Sequence, residues 1–378
     1  MTDRNNTLEN DNTEMKVPPL SAKTSYLIFI VTLPVLVLLA WTSNFLPGIV
    51  EPNTSKPVIE YVVYAVIIGL IISNVLVAIP ASSTTYRQFK GTIRTELLLK
   101  IGLVIYGAKI GADFAKIDVL AGYFLAAFLQ AMLVIITVFM VAYYTAVKIF
   151  KLEAKFAAVL ATAVSVCGVS AAIAAAGAVL AEKKQLAHTV TLVIAFSLPL
   201  MFIFPYVALF LDFPDVVAGA WIGGNIDTTA AVLAAGSIHG ETAADLAAIV
   251  KITQNVMIGF VAFFLALYFS FYEKKDELRP SPKELWTRFP KFVIGFLLTM
   301  VLALPLIGII PLETANLLGN IAKWFFAMAF VCIGLTTTLS DFTKMGWKPT
   351  GAYTVATIYN TILTLITSFV LFGFLFSG

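Results

Sequence analysis

The chain of 378 residues is 60% hydrophobic and 12% charged, and its mean hydropathy is +0.92. A soluble domain carries about 25% charged residues, so this composition excludes a soluble enzyme or binding module and predicts an integral membrane protein. The net charge of +3 is too small to indicate a nucleic acid as a partner, so we expect none.

A polar tail, residues 1–25, precedes the first apolar segment, and its composition is typical of a disordered cytoplasmic extension. Apolar stretches of about 18 residues, each long enough to cross about 30 Å of hydrocarbon, follow over residues 26–378. We therefore predict an all-α, polytopic transmembrane domain in the lipid bilayer. Its approximately eleven helices are expected at 26–46, 58–80, 97–112, 119–147, 157–180, 189–211, 217–237, 246–271, 292–310, 317–338 and 351–376.

Lysine and arginine are unevenly distributed between the predicted loops. One set of alternate loops carries most of them, and the other set carries chiefly Lys56, Lys116, Lys183 and Lys184. Because basic residues favour the cytoplasmic side, we expect the N-terminus to lie in the cytoplasm and the protein to lie in the cell (inner) membrane. The loop 212–215, which contains two Asp and no basic residue, fits this orientation only if a span between 157 and 237 is miscounted.

Two apolar segments contain breaks rich in glycine and hydroxyl residues, at 165–170 and 223–229. An interrupted helix in a bilayer leaves backbone groups unpaired unless they are buried in protein or line a cavity. The alanine-rich sequences that follow the breaks resemble each other, and Asp-Phe-x-Lys recurs at 113–116 and 341–344. We therefore predict inverted repeats with two discontinuous helices, a pattern typical of transporters. Chance similarity between alanine-rich helices is the alternative.

The first break has the composition of an anion site. A helix that restarts near Gly168 would present free N–H groups and the positive end of its dipole to a ligand. The alternative is a kinked helix whose small residues only allow close packing. The predicted substrate-binding residues are Ser165, Cys167, Gly168, Ser170 and Lys251.

The second break contains Asp227, and an ionised carboxylate inside a membrane costs about 2.5–3.5 kcal/mol. We therefore predict that it binds a coupling cation, Na⁺ or H⁺, with a structural hydrogen bond or ion pair as the alternative. Lys251 shares a helical face with Gln254 and is a candidate partner of Asp227, a contact for the anion, or an interfacial lysine. The predicted coupling-ion residues are Asn225, Asp227, Thr228, Thr229 and Asn255.

Other chemistry is not indicated by the sequence. Cys167 and Cys332 both lie in apolar segments, so we expect neither a disulfide nor a metal site. Phosphate-binding loops, His-Glu-x-x-His and Gly-x-Ser-x-Gly are absent from the sequence. We therefore expect no enzymatic activity and no cofactor other than the coupling cation.

Three stretches resemble a known family: Leu98–Lys109, Ser165–Ser170 with its continuation, and Ala247–Thr253. Here the chain resembles the YeiH-like sulfate exporter family of bacterial inner-membrane proteins. A more distant resemblance, at Cys167-Gly168, 186–190 and Ile333–Phe342, is to bile-acid:sodium symporters and cation/proton antiporters. This second resemblance implies inverted repeats, two discontinuous helices crossing in a core, a separate gate domain, and a homodimer formed through that domain.

The residues and the resemblance together predict a secondary transporter of a small anion, of the sulfate exporter type. A sodium- or proton-coupled organic-anion carrier is the first alternative, and a channel-like pore or a membrane enzyme belongs to a different class. A dianion that leaves a cell at −100 mV gains about 4.6 kcal/mol. Export of sulfate therefore needs no coupling ion, whereas uptake does.

Overall fold

The computed structural model describes residues 22–50, 61–79, 85–86, 88–113, 117–273, 291–338 and 346–374, and these residues are mainly helical. Most of the predicted tail lies outside them, as do residues 114–116 of the first Asp-Phe-x-Lys repeat and all of the second repeat at 341–344. The helices are α1 (Ala22–Val50), α2 (Tyr61–Ala78), α3 (Thr95–Asp113), α4 (Ile117–Tyr144), α5 (Ala154–Ser165), α6 (Val169–Val179), α7 (Lys183–Phe210), α8 (Asp215–Asn225), α9 (Thr229–His239), α10 (Glu241–Val256), α11 (Ile258–Glu273), α12 (Phe292–Ala303), α13 (Leu312–Thr336) and α14 (Trp347–Ser368).

The predicted all-α membrane fold is confirmed. Among the described residues, seven spans are long and apolar enough to cross a membrane. A turn at Met257 joins α10 and α11 into one such span, and π-helical turns extend α4 and α14. The seven spans are Lys23–Leu46, Tyr61–Ala78, Ala121–Ile149, Lys183–Phe210, Glu241–Phe269, Leu312–Thr336 and Trp347–Gly373.

The two predicted discontinuous helices are present, and each is a pair of short helices. The first break separates α5 from α6 at residues 166–168, and the second separates α8 from α9 at residues 226–228. Each short helix has 11 or 12 residues. At 1.5 Å per residue it is about 17 Å long, roughly half of the hydrocarbon thickness.

The second pair turns back on itself. His239 Nδ1, at the end of α9, lies 3.4 Å from Asp215 Oδ1, at the start of α8. A continuous helix would separate these two residues by about 36 Å. Gly219 of α8 and Gly236 of α9 both pack against the first turn of α10. We call α8–α9 hairpin 2; it enters and leaves at the same end of the molecule.

The first pair has the same form. Gln185 Nε2, in the first turn of α7, donates a hydrogen bond of 2.7 Å to Glu153 Oε2, immediately before α5. Only residues 180–182 separate α6 from α7, and three residues span at most about 11 Å. The end of α6 therefore lies close to the start of α5, and we call α5–α6 hairpin 1.

The two hairpins enter from opposite ends and meet at their tips. The 28-residue α7 leads from the end of hairpin 1 to the start of hairpin 2. At the meeting point Gly168 has φ +64° and ψ −119°, a conformation that glycine adopts far more readily than other residues. A Cβ at this position would lie 3.2 Å from the carbonyl oxygen of Asp227.

This arrangement corrects the predicted sides of two loops. Segments 157–180 and 217–237 are hairpins rather than crossings, so Lys183 and Lys184 lie at the same end of the molecule as Lys151. The loop that contains Asp212 lies at the opposite end. The prediction that placed Lys151 and Lys184 on opposite sides is wrong. With the correction, the acidic loop no longer conflicts with the positive-inside rule.

Cysteine labelling tests these sides directly. With the basic loops in the cytoplasm, as the positive-inside rule predicts, Asp212→Cys in a Cys167→Ser/Cys332→Ala background should react with a membrane-impermeant maleimide added outside intact cells, because hairpin 1 returns the chain to the side of Lys151 before α7 crosses. Lys184→Cys should react only after permeabilisation. Both side chains are exposed. Labelling of Lys184→Cys in intact cells would contradict the hairpin topology.

The remaining helices form a second packed group. α1, α2, α3, α12 and α13 contact one another, and we call them the glycine-packed group. The backbones of α2 and α13 touch at Gly69 and Gly334, where neither glycine has room for a Cβ. Small residues permit this close approach in a membrane. The helices α4–α11 and α14 form the hairpin group, and the candidate site lies between the two groups.

Candidate functional site

A cavity of about 470 Å³ lies where the hairpin tips face the glycine-packed group. The first turns of α6 and α9 form one wall, with Ser170 and Thr229 among their lining residues. Glu96 and Lys100 of α3 line the other end. Their side chains are 54% and 44% exposed and form an ion pair of 2.8 Å. The cavity therefore extends from the tips toward an exposed end of α3.

Two helix N-termini meet at this cavity. The first N–H groups of a helix have no partner within the helix, and the helix dipole places partial positive charge there. Gly168 provides no side-chain cap for α6. The hydroxyl of Thr228 accepts a bond of 3.3 Å from the Ala231 N–H of α9. Together the two N-termini favour an anionic ligand.

Two further polar atoms in the cavity wall, Ser197 Oγ and Asn255 Oδ1, have no hydrogen-bond partner among the residues that the structure describes. Each of the two residues is 3% exposed. The amide nitrogen of Asn255 donates a bond of 3.4 Å to Thr229 Oγ1. Buried polar atoms are normally hydrogen-bonded, so these two indicate that the cavity receives a polar ligand or water.

Side chains on one face of α10 form hydrogen bonds with both hairpins. Lys251 Nζ donates to the carbonyl of Val166, at the end of α5, over 3.1 Å and to Gln254 Oε1 over 2.8 Å. Gln254 Nε2 in turn donates to the carbonyl of Gly224 in α8 over 3.1 Å. Lys251 and Gln254, which were predicted to share a helical face, therefore donate hydrogen bonds to backbone carbonyls that the helix breaks leave without a helical partner. Lys251 is 1% exposed and does not reach an interface, so the interfacial interpretation is wrong.

Asp227 lies behind the cavity wall. It is 3% exposed, and its Oδ2 accepts a short hydrogen bond from the hydroxyl of Tyr353. Within the part of the chain that the structure describes, its carboxylate makes no ion pair with Lys251 at 4.0 Å or less, although the two charges interact electrostatically. The structural hydrogen bond considered as an alternative for this residue is thus present.

The predicted site residues fall into two layers, one that lines the cavity and a polar layer of buried side chains behind it. Cys167, Ser170, Thr228, Thr229 and Asn255 line the cavity. Gly168 forms the contact between the tips, and the buried Ser165 hydroxyl lies 3.5 Å from the carbonyl of Thr162. The amide of Asn225 donates to Thr361 Oγ1 over 3.1 Å, next to the layer that holds Asp227 and Lys251. The roles assigned to these residues stay predictions.

Sequence reasoning missed part of the polar layer. Tyr353 was not singled out, nor was Asn360, whose amide donates to the carbonyl of Asn225 over 3.2 Å. Their signal is a stripe of buried polar side chains along α14 at spacings of three and four residues. The stripe consists of Tyr353, Thr357, Asn360, Thr364, Thr367 and Ser368.

The two helix groups are joined by polar contacts between α3 or α13 and α10. Lys109 and Lys323 of the glycine-packed group lie 3.8 and 3.3 Å from Glu241 Oε1 of α10. One turn further along α10, Asp245 Oδ1 accepts a bond of 2.8 Å from the Tyr106 hydroxyl. Glu241 begins α10 next to His239, and Glu96 is at the other end of α3. These contacts therefore join the groups at the end opposite the cavity mouth.

Comparisons with known proteins give the family. The family described as Conserved hypothetical protein 698 matches residues 27–352. The chain is 34% identical to a UPF0324 membrane protein of Rhodopirellula baltica over 361 residues, 92% of this chain and 64% of the relative. It is also 34% identical to one from Nitratidesulfovibrio vulgaris over 330 residues, 83% of this chain and 54% of the relative.

A third relative, a UPF0324 membrane protein of Oceanobacillus iheyensis, is 29% identical over 286 residues, 75% of this chain and 80% of the relative. The chain thus spans only 64% and 54% of the first two relatives. No solved structure matches the chain. The family match covers most of the helices described above and agrees with the resemblance found in the sequence. The chain belongs to the Conserved hypothetical protein 698 family, the YeiH-like family of UPF0324 membrane proteins.

Proposed function

We propose that this membrane protein is a secondary transporter that binds the charged group of an anion between its two hairpin tips. The observation that carries the proposal is the convergence on one cavity of two helix N-termini and the Ser197 hydroxyl, which has no partner among the described residues. These neutral N–H and O–H donors suit a carrier, because they bind an anion without a permanent ion pair that would slow its release.

The rest of the cavity wall favours an anion with an apolar body. Leu99, Ile194, Met201, Ile258 and Phe292 line the space around the tips. Pockets for organic ligands combine such walls with a few polar groups and have volumes of about 300–1,000 Å³. A sulfate ion would leave this apolar surface uncovered. An organic sulfonate or carboxylate is therefore our first candidate, and sulfate, named by the family resemblance, is the second.

The contacts between the helix groups support alternating access. Glu241 and Asp245 hold the groups together at one end, while the cavity reaches the exposed Glu96 and Lys100 at the other. By the positive-inside rule the exposed end faces the cytoplasm. A carrier must break the contacts at Glu241 and Asp245 in its other state, whereas a channel would need both ends open together.

Coupling to Na⁺ or H⁺ at the second break is part of the sequence-based hypothesis. The cavity positions of Thr228, Thr229 and Asn255 favour contact with the anion. Asn225 and Asp227 lie behind that wall, so a cation bound there would sit beneath the anion and would not line the pathway.

Counterflow in proteoliposomes tests the proposal. Vesicles containing purified protein and loaded with unlabelled hexanesulfonate or sulfate are diluted into a trace of the labelled anion. Both anions stay charged, so neutral diffusion does not interfere. We expect saturable uptake of hexanesulfonate, and its loss in Asn255→Leu. Uptake of sulfate alone would favour the second candidate. Absence of counterflow with both anions would contradict the proposal, and non-saturable flux would indicate a channel.

A further inference from the structure

Lys251 lies where the two hairpins meet but does not line the cavity. Its ammonium group donates to the carbonyl of Val166 and to Gln254, which in turn holds the carbonyl of Gly224. The side chain is 1% exposed. A buried ammonium is costly unless it is hydrogen-bonded and electrically compensated. The groups around Lys251 must therefore supply both hydrogen-bond acceptors and a compensating negative charge.

The surroundings of Lys251 are those of a cation site. Val166 follows the last residue of α5 and Gly224 lies in the last turn of α8, so both carbonyls belong to the negative ends of helix dipoles. Asp227 contributes a carboxylate that interacts electrostatically with Lys251. In transporters with broken helices, helix C-terminal carbonyls of this kind coordinate the coupling cation. Here a covalently attached ammonium already binds one of them.

The positive charge of Lys251 also acts on the cavity through the wall that the hairpin tips form. Cys167 lines the cavity and directly follows Val166, whose carbonyl accepts a hydrogen bond from Lys251 Nζ. A positive charge behind this wall attracts an anion at the tips without touching it. A metal cation at the same carbonyls would be repelled by the ammonium, since both have the same sign.

We propose that the Lys251 ammonium takes the place of a metal coupling cation at the meeting point of the hairpins, so that anion binding and transport need no Na⁺. The proposal rests on the proposed anion transport, and it selects between the two coupling cations predicted for Asp227 by excluding Na⁺. Lys251 is a positioning residue: it binds the Val166 carbonyl directly, orients Gln254 toward the Gly224 carbonyl, and supplies charge to the site.

The test compares Lys251→Met with Lys183→Met, a matched loss of an exposed lysine at the start of α7. Hexanesulfonate counterflow is measured in Na⁺ and in choline media. Wild type and Lys183→Met should exchange equally in both. Lys251→Met should lose about tenfold or more in choline, equivalent to 1.4 kcal/mol, and should recover in part with Na⁺ or ethylammonium. Wild-type exchange that requires Na⁺, or full exchange by Lys251→Met in choline, would overturn the proposal.

Thermal unfolding of the purified protein separates failure of this proposal from failure of the transport proposal. Even without counterflow, Lys251→Met should unfold at a lower temperature than wild type, and Na⁺ or ethylammonium should raise that temperature only in the variant. If Lys251→Met does not fold, Lys251→Met/Asp227→Asn should fold, because it removes both charges. Lack of cation rescue in the single variant, or a double variant no more stable than the single one, would overturn the proposal.

Discussion

Gly168→Ala is expected to abolish anion counterflow and to lower the unfolding temperature. Gly168 has φ +64° and ψ −119°, and a sparsely populated backbone conformation of this kind costs a residue with a side chain about 1–3 kcal/mol. The added Cβ would also lie 2.7 Å from Val193 Cγ1 and 3.3 Å from the carbonyl carbon of Asp227. Backbone at a hairpin tip can yield only by moving the tips apart, and overpacking of this kind costs about 1–3 kcal/mol more. Loss of the tip contact removes the shared anion site.

Gly177→Ala is the matched control in the same hairpin. Gly177 lies inside α6, and a Cβ there would meet nothing within 4 Å. Alanine in a helix interior is favoured over glycine by about 0.5–1 kcal/mol, so this variant should keep counterflow and be slightly more stable. Equal behaviour of the two variants would show that the tip geometry at Gly168 has no role.

Tyr353→Phe is expected to destabilise the protein by about 1.5–3 kcal/mol, the range for a hydrogen bond to a charged group. The Tyr353 hydroxyl donates to Asp227 Oδ2, and both side chains are buried. Phenylalanine keeps the ring, which packs on Phe196 with centroids 4.9 Å apart, and removes only the donor. The carboxylate then loses a buried partner beside the hairpin tips, so counterflow should fall as well.

Tyr359→Phe provides the comparison on the same helix. Tyr359 is half-buried on α14 and packs beside α4 and the hairpins. Because Tyr359→Phe leaves the Tyr353–Asp227 hydrogen bond intact, it should change the free energy of unfolding by less than about 0.5 kcal/mol. Chemical denaturation of the two variants in the same detergent measures the difference. A Tyr353→Phe effect as small as that of Tyr359→Phe would mean that this bond does not stabilise the tips.

The sequence predicted the breaks but not the paths of the chain through them. A stretch of 24 apolar residues has the same pattern whether it crosses a bilayer once or enters half-way and returns, because in both forms the apolar side chains contact lipid or protein and not water. The sequence predicts that a helix restarts near Gly168, and in the structure Gly168 immediately precedes α6. The direction of that helix depends on contacts such as Glu153–Gln185, which local pattern does not encode.

The charges in the loops indicate on which side of the membrane each loop lies. Lys183 and Lys184 on the predicted outside, and Asp212 on the predicted inside, both indicate that a span is miscounted. The sequence predicts part of the polar layer, since the spacing of Lys251 and Gln254 places them on one face of a helix. Their partners are backbone carbonyls of Val166 and Gly224, and the residue type at those positions gives no sign of a hydrogen bond.

The central claim is that both hairpin tips form one anion site. Single cysteines in a Cys167→Ser/Cys332→Ala background test it through protection from a thiol reagent. Ser170→Cys reports on α6, Thr229→Cys on α9, and Thr95→Cys on the far end of the cavity. We predict that hexanesulfonate protects the first two at the same half-maximal concentration and leaves Thr95→Cys reactive. Protection of only one tip, or of neither, would contradict a shared site.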